Sequence, residues 1–218
     1  MIRLAVPGGR LWPHSLQLLH QLGITDVAGG RRYVFASPAA DMQVLVLKVP
    51  DIPVVVDEGL VDLAVASDEW LAEHSGRYVS LIPLCWYHIR ICVLAPEPDT
   101  ATRGGADSWR RTIATPYPRL AARLLGPRAR IRPVAGAVEA YPGRITDLAI
   151  DCVETGVTAA SNGLRVVREL WRGDVRLVAS PHTDLTNPTV REVISALHAT
   201  VVDRDCRYGQ QPQTAGQR

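Results

Sequence analysis

The chain is poor in the features that would tie it to a membrane, to nucleic acid or to a structural metal. No apolar stretch reaches the roughly 18 residues that a membrane span needs, so a helical membrane class is excluded. Met1 leads within one residue into Ile2-Arg3-Leu4-Ala5-Val6, with no secretory n-region, h-region or cleavage site, which predicts a cytoplasmic protein. Excess charge of one sign is also lacking: 24 Lys and Arg stand against 22 Asp and Glu, a net +2. The arginines are scattered rather than gathered into a basic run with interleaved aromatics, which excludes DNA or RNA as the partner. Cys85, Cys92, Cys152 and Cys206 form no C-x-x-C pair and have no histidine at zinc spacing, so they read as buried free thiols. Lysine occurs once, at Lys48, and the preference for arginine is read as compositional bias, not as phosphate chemistry.

What is present is an average soluble composition, 47% hydrophobic and 21% charged, in 218 residues, enough for two small α/β lobes. Short apolar runs alternate with helical patterns. Strands are expected at Arg3 to Val6, Gln43 to Val49, Leu63 to Ala66 and His88 to Ala95, and helices at Pro13 to Leu22 and from a cap at Asp51 to Glu58. A loop follows Pro96-Glu97-Pro98. Beyond it the pattern repeats, with strands at Thr112 to Ala114, Arg130 to Val134 and Leu148 to Ile150 and a helix at Arg119 to Leu125. Arg176 to Ala179 is placed back in the first lobe as partner for a last helix, in which Val190, Val193, Ile194, Leu197 and Val201 share a face. The expected fold is α/β, two-lobed and periplasmic-binding-protein-like, with a cleft and with the second lobe inserted into a discontinuous first lobe. The boundaries expected are 1–95 plus 176–205, 96–175, and a polar, disordered tail at 206–218.

The most informative segment runs Thr146-Asp147-Leu148-Ala149-Ile150-Asp151-Cys152-Val153-Glu154-Thr155-Gly156-Val157-Thr158. A buried strand leads into acidic residues and then Thr-Gly-x-Thr at a helix start. Glycine lets a backbone approach closely, and successive N–H groups with two hydroxyls can surround a phosphate. The carboxylates can accept from ribose hydroxyls or meet magnesium carried by a pyrophosphate. The same letters also read as a plain helix cap, and chemistry alone leaves both open.

This segment resembles the signature of the short-form ATP phosphoribosyltransferases, D-x-x-x-D-x-V-x-T-G-x-T followed by x-x-x-N-G-L, matched at Asp147, Asp151, Val153, Thr155, Gly156, Thr158, Asn162, Gly163 and Leu164. Other stretches are similar in the same order: Arg3 to Pro7 with Gly9-Arg10-Leu11, Gly30-Arg31, Lys48 with Asp51-Ile52-Pro53, Asp62-Leu63, Arg90, Thr115-Pro116-Tyr117-Pro118, and Gly136-Ala137-Val138-Glu139. The resemblance implies transfer of phosphoribose from PRPP to N1 of the adenine of ATP. It implies that Glu154, Thr155, Gly156, Val157 and Thr158 hold the 5-phosphate of PRPP, with Asp151 and Glu154 beside its ribose as the catalytic pair. It also implies Mg2+, with Asp151 and Glu139 as candidate ligands, and a possible separate regulatory subunit; a length with no residues for a third domain predicts a homodimer.

Arg10, Arg31, Lys48 and Arg90 are then candidates to bind the triphosphate of ATP by charge-assisted hydrogen bonds, against the plainer reading of each as a solvated surface residue. Tyr117 would stack on the purine or sit in the core. Glu139 reads better as a structural residue at the hinge than as a magnesium ligand, and Trp86-Tyr87-His88 as packing rather than a ligand wall. Departures gather on the acceptor side. The lysine of the family's P-K-G-R-L is Gly8 or Gly9, its G-K-D is Ser67-Asp68-Glu69, and its G-F-G is Cys85-Trp86-Tyr87. The acceptor therefore stays open between ATP in histidine biosynthesis and an adenine nucleotide in purine-derived nucleoside metabolism. A rival class is a non-catalytic solute-binding or regulatory module of the same fold.

Overall fold

The computed structural model describes residues 1–25, 27, 32–37, 41–97 and 111–201, the side chains of 199–201 excepted. Gly30-Arg31, most of the loop after Pro96, Cys206 and the tail expected at 206–218 lie outside the described residues. In chain order the elements are β1 (Ile2–Pro7), α1 (Trp12–Gln21), β2 (Val34–Ala36), β3 (Met42–Leu47), α2 (Ile52–Asp57), β4 (Leu63–Ser67), α3 (Asp68–His74) and β5 (Val79–Pro83). There follow β6 (Ile89–Pro96), β7 (Thr112–Thr115), α4 (Pro118–Leu125), β8 (Arg130–Pro133), β9 (Leu148–Cys152), α5 (Val157–Ser161), β10 (Leu164–Gly173), β11 (Val175–Ala179) and α6 (Pro188–Val201). They form two compact units. The first takes Met1–Leu71, Ser75–Tyr87 and the chain from Asp174; the second takes Ala72–His74 and His88–Gly173.

In the first unit the strands run β2-β3-β1-β4-β11-β5. β1 is parallel to both β3 and β4, whereas β2 and β11 are antiparallel to their neighbours. The central strands are apolar on both faces: every residue of β4 is buried, as are five of the six in β1, the pattern of strands covered on each side. Ala5, Ile52, Val56, Val61, Ala64, Ala66, Leu71 and Val178 make one core cluster. Ser15 is buried in α1 because its hydroxyl donates to the Pro7 carbonyl at 2.7 Å, tying helix to strand end. Gly23 ends that helix at φ +74°, with its N–H on His20 O and the Ile24 N–H on Leu19 O, the paired bonds of a Schellman stop. Asp51 does precede a helix, but its carboxylate makes no capping bond; a 3-10 turn over Val49–Asp51 feeds α2 directly.

In the second unit the order is β10-β6-β9-β7-β8. β7 lies parallel to β8 and β9, and β6 antiparallel to β9 and β10. Cys92, Leu94, Ala114, Val138, Ala149, Val153, Ala159 and Leu164 form its core cluster. Asp147 ties β7 to the start of β9: its Oδ2 accepts from Thr112 N at 2.7 Å and Thr112 Oγ1 at 2.9 Å. Cys92 and Cys152 are free thiols, as the sequence suggests, but Cys85 is disulfide-bonded, so the reading of four free thiols fails there.

Candidate active site

Open α/β sheets bind ligands outside the carboxyl ends of their parallel strands, where neighbouring connections depart in opposite directions. In the first unit that point is β1, flanked by β3 on one side and β4 on the other. Three short segments leave the sheet there: Gly8-Gly9-Arg10 after β1, Lys48 to Asp51 after β3, and Ser67-Asp68-Glu69 at the end of β4. The Gly8 N–H donates to Leu47 O at 2.9 Å, and a Cβ at Gly8 would meet Val46 Cγ1 at 3.3 Å, so the first two segments run close together. Gly9 has φ +62°, a conformation that favours glycine.

Arg10 is exposed, and its guanidinium carbon lies 4.7 Å from the centroid of the Tyr87 ring. A cation over a ring face is held there by the quadrupole of the ring. His14 stacks on Trp86 beside it, centroids 5.5 Å apart. The aromatic run Trp86-Tyr87 is thus in part a wall on which the Arg10 cation and the His14 ring rest. Lys48 is exposed.

Asp68 anchors the end of β4: its carboxylate takes the Arg176 guanidinium through both oxygens, with Nη2 at 2.6 Å on Oδ2, and accepts the Asp174 N–H at 3.0 Å. That pairing, above all its hydrogen bonds, raises the Arg176 pKa further. Ser67 and Glu69 are each 2% exposed, and among the described residues Ser67 Oγ and Glu69 Oε2 have no hydrogen-bond partner of ordinary geometry. Burial pushes the Glu69 carboxyl up to about 7, against the opposing pull of its own backbone N–H, the nearby Ser67 hydroxyl and the Arg10 charge.

The second unit holds the acidic and Thr-Gly segment. Asp151 is the fourth residue of β9, and its Oδ1 accepts from Cys152 N at 2.7 Å. Gly156 precedes α5 at φ +82°, so any side chain there is strained, although a Cβ would meet only Val153 Cγ1, at 4.0 Å. Glu154, Thr155, Val157 and Thr158 line the same turn; Glu154, Thr155 and Thr158 are exposed, and so is Val157, at 66%. Thr155 Oγ1 accepts weakly from Val157 N at 3.4 Å, and the Thr158 carbonyl accepts from Asn162 Nδ2 at 2.8 Å. α5 has five residues, so its dipole is small and the N–H and hydroxyl donors must carry any affinity for an anion.

Arg90 supports this loop: its Nη1 donates to Glu154 O at 3.4 Å, and its Nε pairs with Glu169 Oε2 at 2.9 Å. Hydrogen bonds from Arg172 and then Arg90 hold the Glu169 carboxyl below its usual range. Tyr117 is 3% exposed, which favours packing over stacking on a ligand. Glu139 sits half-buried in a 3-10 turn over Val138–Ala140. Arg31 lies outside the described residues. The site residues expected from the sequence therefore fall into two sets: Arg10 and Lys48 in the first unit, and Arg90, Tyr117, Glu139 and Asp151 to Thr158 in the second. Ser67 and Glu69 are not among them, since they stand out in the sequence only as departures from the family pattern. Among the described residues no three His, Cys, Asp or Glu side chains cluster as a metal site would.

A profile of the ATP phosphoribosyltransferase family matches residues 48–199. The chain is 30% identical over 217 residues to the ATP phosphoribosyltransferase of Streptococcus gordonii, covering 95% of this chain and 98% of the relative. It is 32% identical over 210 residues to that of Natronomonas pharaonis, covering 94% and 74%. Among solved structures, a Thermotoga maritima ATP phosphoribosyl transferase (HisG:HisZ) complex superposes with a TM-score of 0.75 at 22% identity, over 94% of this chain and 100% of that one. The glutamate-bound GluR0 ligand-binding core of Nostoc punctiforme superposes at 0.57 and 14%, over 91% and 92%. These likenesses bear out the periplasmic-binding-protein-like α/β fold.

Proposed function

The chain belongs to the ATP phosphoribosyltransferase family, and from that premise we propose how its residues perform the reaction. It transfers the 5-phosphoribosyl group of PRPP to N1 of the adenine ring of ATP with release of pyrophosphate, the first step of histidine biosynthesis. The observation that carries this is the family match from Lys48 to the last helix, which includes the complete Thr-Gly-x-Thr segment. It also resolves the acceptor left open by the sequence in favour of ATP.

The N1 lone pair forms the new bond to C1 of the ribose while the C1–O bond breaks and its electron pair leaves on pyrophosphate, with inversion at C1. Adenine N1 is unprotonated at neutral pH, so no strong base is required, and positioning with charge stabilisation supplies the rate. We assign the 5-phosphate to Glu154 through Thr158, where Gly156 in its left-handed conformation allows close backbone approach. The carboxylates of Asp151 and Glu154 accept from the ribose hydroxyls and favour positive charge developing at C1. Arg90 serves this site from behind, by holding the Glu154 carbonyl. Arg10 and Lys48 are assigned to the ATP phosphates, and Arg31 by resemblance alone.

The family uses a divalent metal. Magnesium is commonly held by one or two carboxylates plus substrate phosphates. Asp151 and Glu139 would hold it, and it would neutralise the leaving pyrophosphate. A homodimer and a separate regulatory chain are part of the same proposal. A solved neighbour is itself a two-protein complex, and sedimentation of this chain alone would measure its own state. No helix among the described residues is long and apolar enough to cross a membrane.

The decisive assay is release of pyrophosphate from PRPP in the presence of ATP and Mg2+, with formation of the N1-linked product followed by its absorbance. Turnover that needs both substrates is expected. Saturable binding of a substrate with no pyrophosphate released would return the chain to the rival class of non-catalytic modules.

A further inference from the structure

Two buried polar atoms of the first unit lack partners among the described residues, at the carboxyl-end edge of the sheet where such folds bind ligands. Ser67 Oγ and Glu69 Oε2 are both buried, and among the described residues neither has a hydrogen-bond partner of ordinary geometry, although the Ser67 hydroxyl is close enough to pull on the Glu69 carboxyl. Buried polar groups are nearly always satisfied, and an exception calls for an explanation. Packing does not supply one. Asp68, between them, is fully engaged with Arg176 and Asp174, so the segment is anchored without any help from its neighbours. Both atoms sit at the carboxyl end of β4, next to β1, and Arg10 at the end of β1 is close enough for its charge to act on Glu69.

We infer that Ser67 and Glu69 form a recognition pair for the acceptor nucleotide, in which Glu69 Oε2 accepts from, and Ser67 Oγ meets, an N–H or O–H group of its base or ribose. This rests on the assignment of ATP as acceptor. The chemistry excludes the phosphates as the partner: a carboxylate beside a polyanion is repelled, whereas Arg10 suits the phosphates. A carboxylate accepts only, so its partner must be a donor, and ATP offers two kinds away from its phosphates, the 6-amino group and the ribose hydroxyls. An acceptor left unpaired in the free protein and satisfied only by ligand makes discrimination steep, because an analogue without the donor leaves a buried polar group unsatisfied.

The charged groups that act on Glu69 are Arg10, from the segment after β1, and Asp68 on its own helix, which is already paired with Arg176 of β11. The accepting form is the ionised one. Acidification below about 7 should therefore weaken ATP binding beyond what the nucleotide's own titration causes.

The test is calorimetric titration of the full chain with ATP, 2′-deoxy-ATP and the purine analogue lacking the 6-amino group, for the parent, Glu69→Leu, Glu69→Gln and Ser67→Ala, at pH 6 and pH 8. Glu69→Leu should lose roughly tenfold or more in ATP affinity with PRPP affinity unchanged. Glu69→Gln keeps one acceptor and should lose less, and the extra pH dependence of the parent should vanish in it. The analogue missing the contacted group should bind parent and Glu69→Leu alike, which separates amine from hydroxyl. Equal losses for ATP and both analogues, a matching loss for PRPP, or no loss in any folded variant overturns the inference in favour of a buried water. Parent protein that binds ATP but releases no pyrophosphate would overturn the transfer reaction while the titrations still decide Glu69. Parent protein that binds no ATP overturns both.

Discussion

Glu69 is a carboxyl group in a place where charge is costly, and its consequences for stability can be measured apart from any ligand. Its pKa is raised from 4.5 to about 7 on folding, with burial the largest cause. The folded chain therefore binds this proton more tightly than the unfolded chain. Its contribution to stability is full below about 4.5 and is lost as pH rises through about 7. Glu69→Gln keeps the shape and removes the titration. The variant should match the parent near pH 4.5 and exceed it at pH 8 by about 3 kcal/mol, read from urea midpoints at the two pH values. Parallel stabilities across that range would mean the carboxyl is solvated. Nothing in the letters Ser67-Asp68-Glu69 announces this: three polar residues after an apolar strand carry no sign of burial, and only the covering layer makes two of them buried. Tyr117 carries the same lesson, since an aromatic after a strand is legible as a candidate for stacking, but its 3% exposure is decided by tertiary packing.

At the scale of elements, the strands and helices with strong periodicity were legible, including the central strands, α1, α4 and α6, with ends displaced by a residue or two. The ten residues of β10 were not. Its register against β6 shifts between Val166 and Arg168 and again between Glu169 and Trp171, so bulges break the alternation a strand pattern depends on. With β10 unread, the partner of Arg90 is invisible in the sequence, because Glu169 lies on it, and Arg90 reads only as a triphosphate ligand or a solvated surface residue. The edge strands β2 and β5 are short and half-exposed, which leaves too little pattern to read. Asp147 illustrates the converse, a motif residue whose visible work is structural. It accepts both the N–H and the hydroxyl of Thr112 at the start of β7. Asp147→Ala should lower stability by about 1 kcal/mol and leave PRPP affinity of the folded protein unchanged, while Asp147→Asn recovers part of the loss. A variant of parental stability that fails to bind PRPP would move Asp147 into the substrate site.

For the molecule as a whole, the proposed assignments divide the two substrates between the two units, and this division has a consequence for mutant behaviour. The ATP phosphates fall to Arg10 and Lys48 in the first unit, and the 5-phosphate of PRPP to Glu154 through Thr158 in the second. Loss of one charge-assisted hydrogen bond typically costs roughly 1.5–3 kcal/mol, a factor of about ten or more in affinity. Thr158→Ala removes an exposed hydroxyl whose side chain supports nothing else among the described contacts, the Asn162 bond being to its carbonyl. It should weaken PRPP by about that factor and leave ATP nearly untouched. Lys48→Ala, at an equally exposed position, should do the reverse. Gly156 is a poorer probe, since its φ of +82° means that any replacement strains the backbone before a ligand is considered. Separate calorimetric titrations of the folded variants with each substrate read the pattern directly, with thermal melts to confirm folding. If Thr158→Ala binds PRPP like the parent, the Thr-Gly-x-Thr segment is only the start of α5 and the phosphate lies elsewhere. If each variant weakens both substrates alike, the division between units fails.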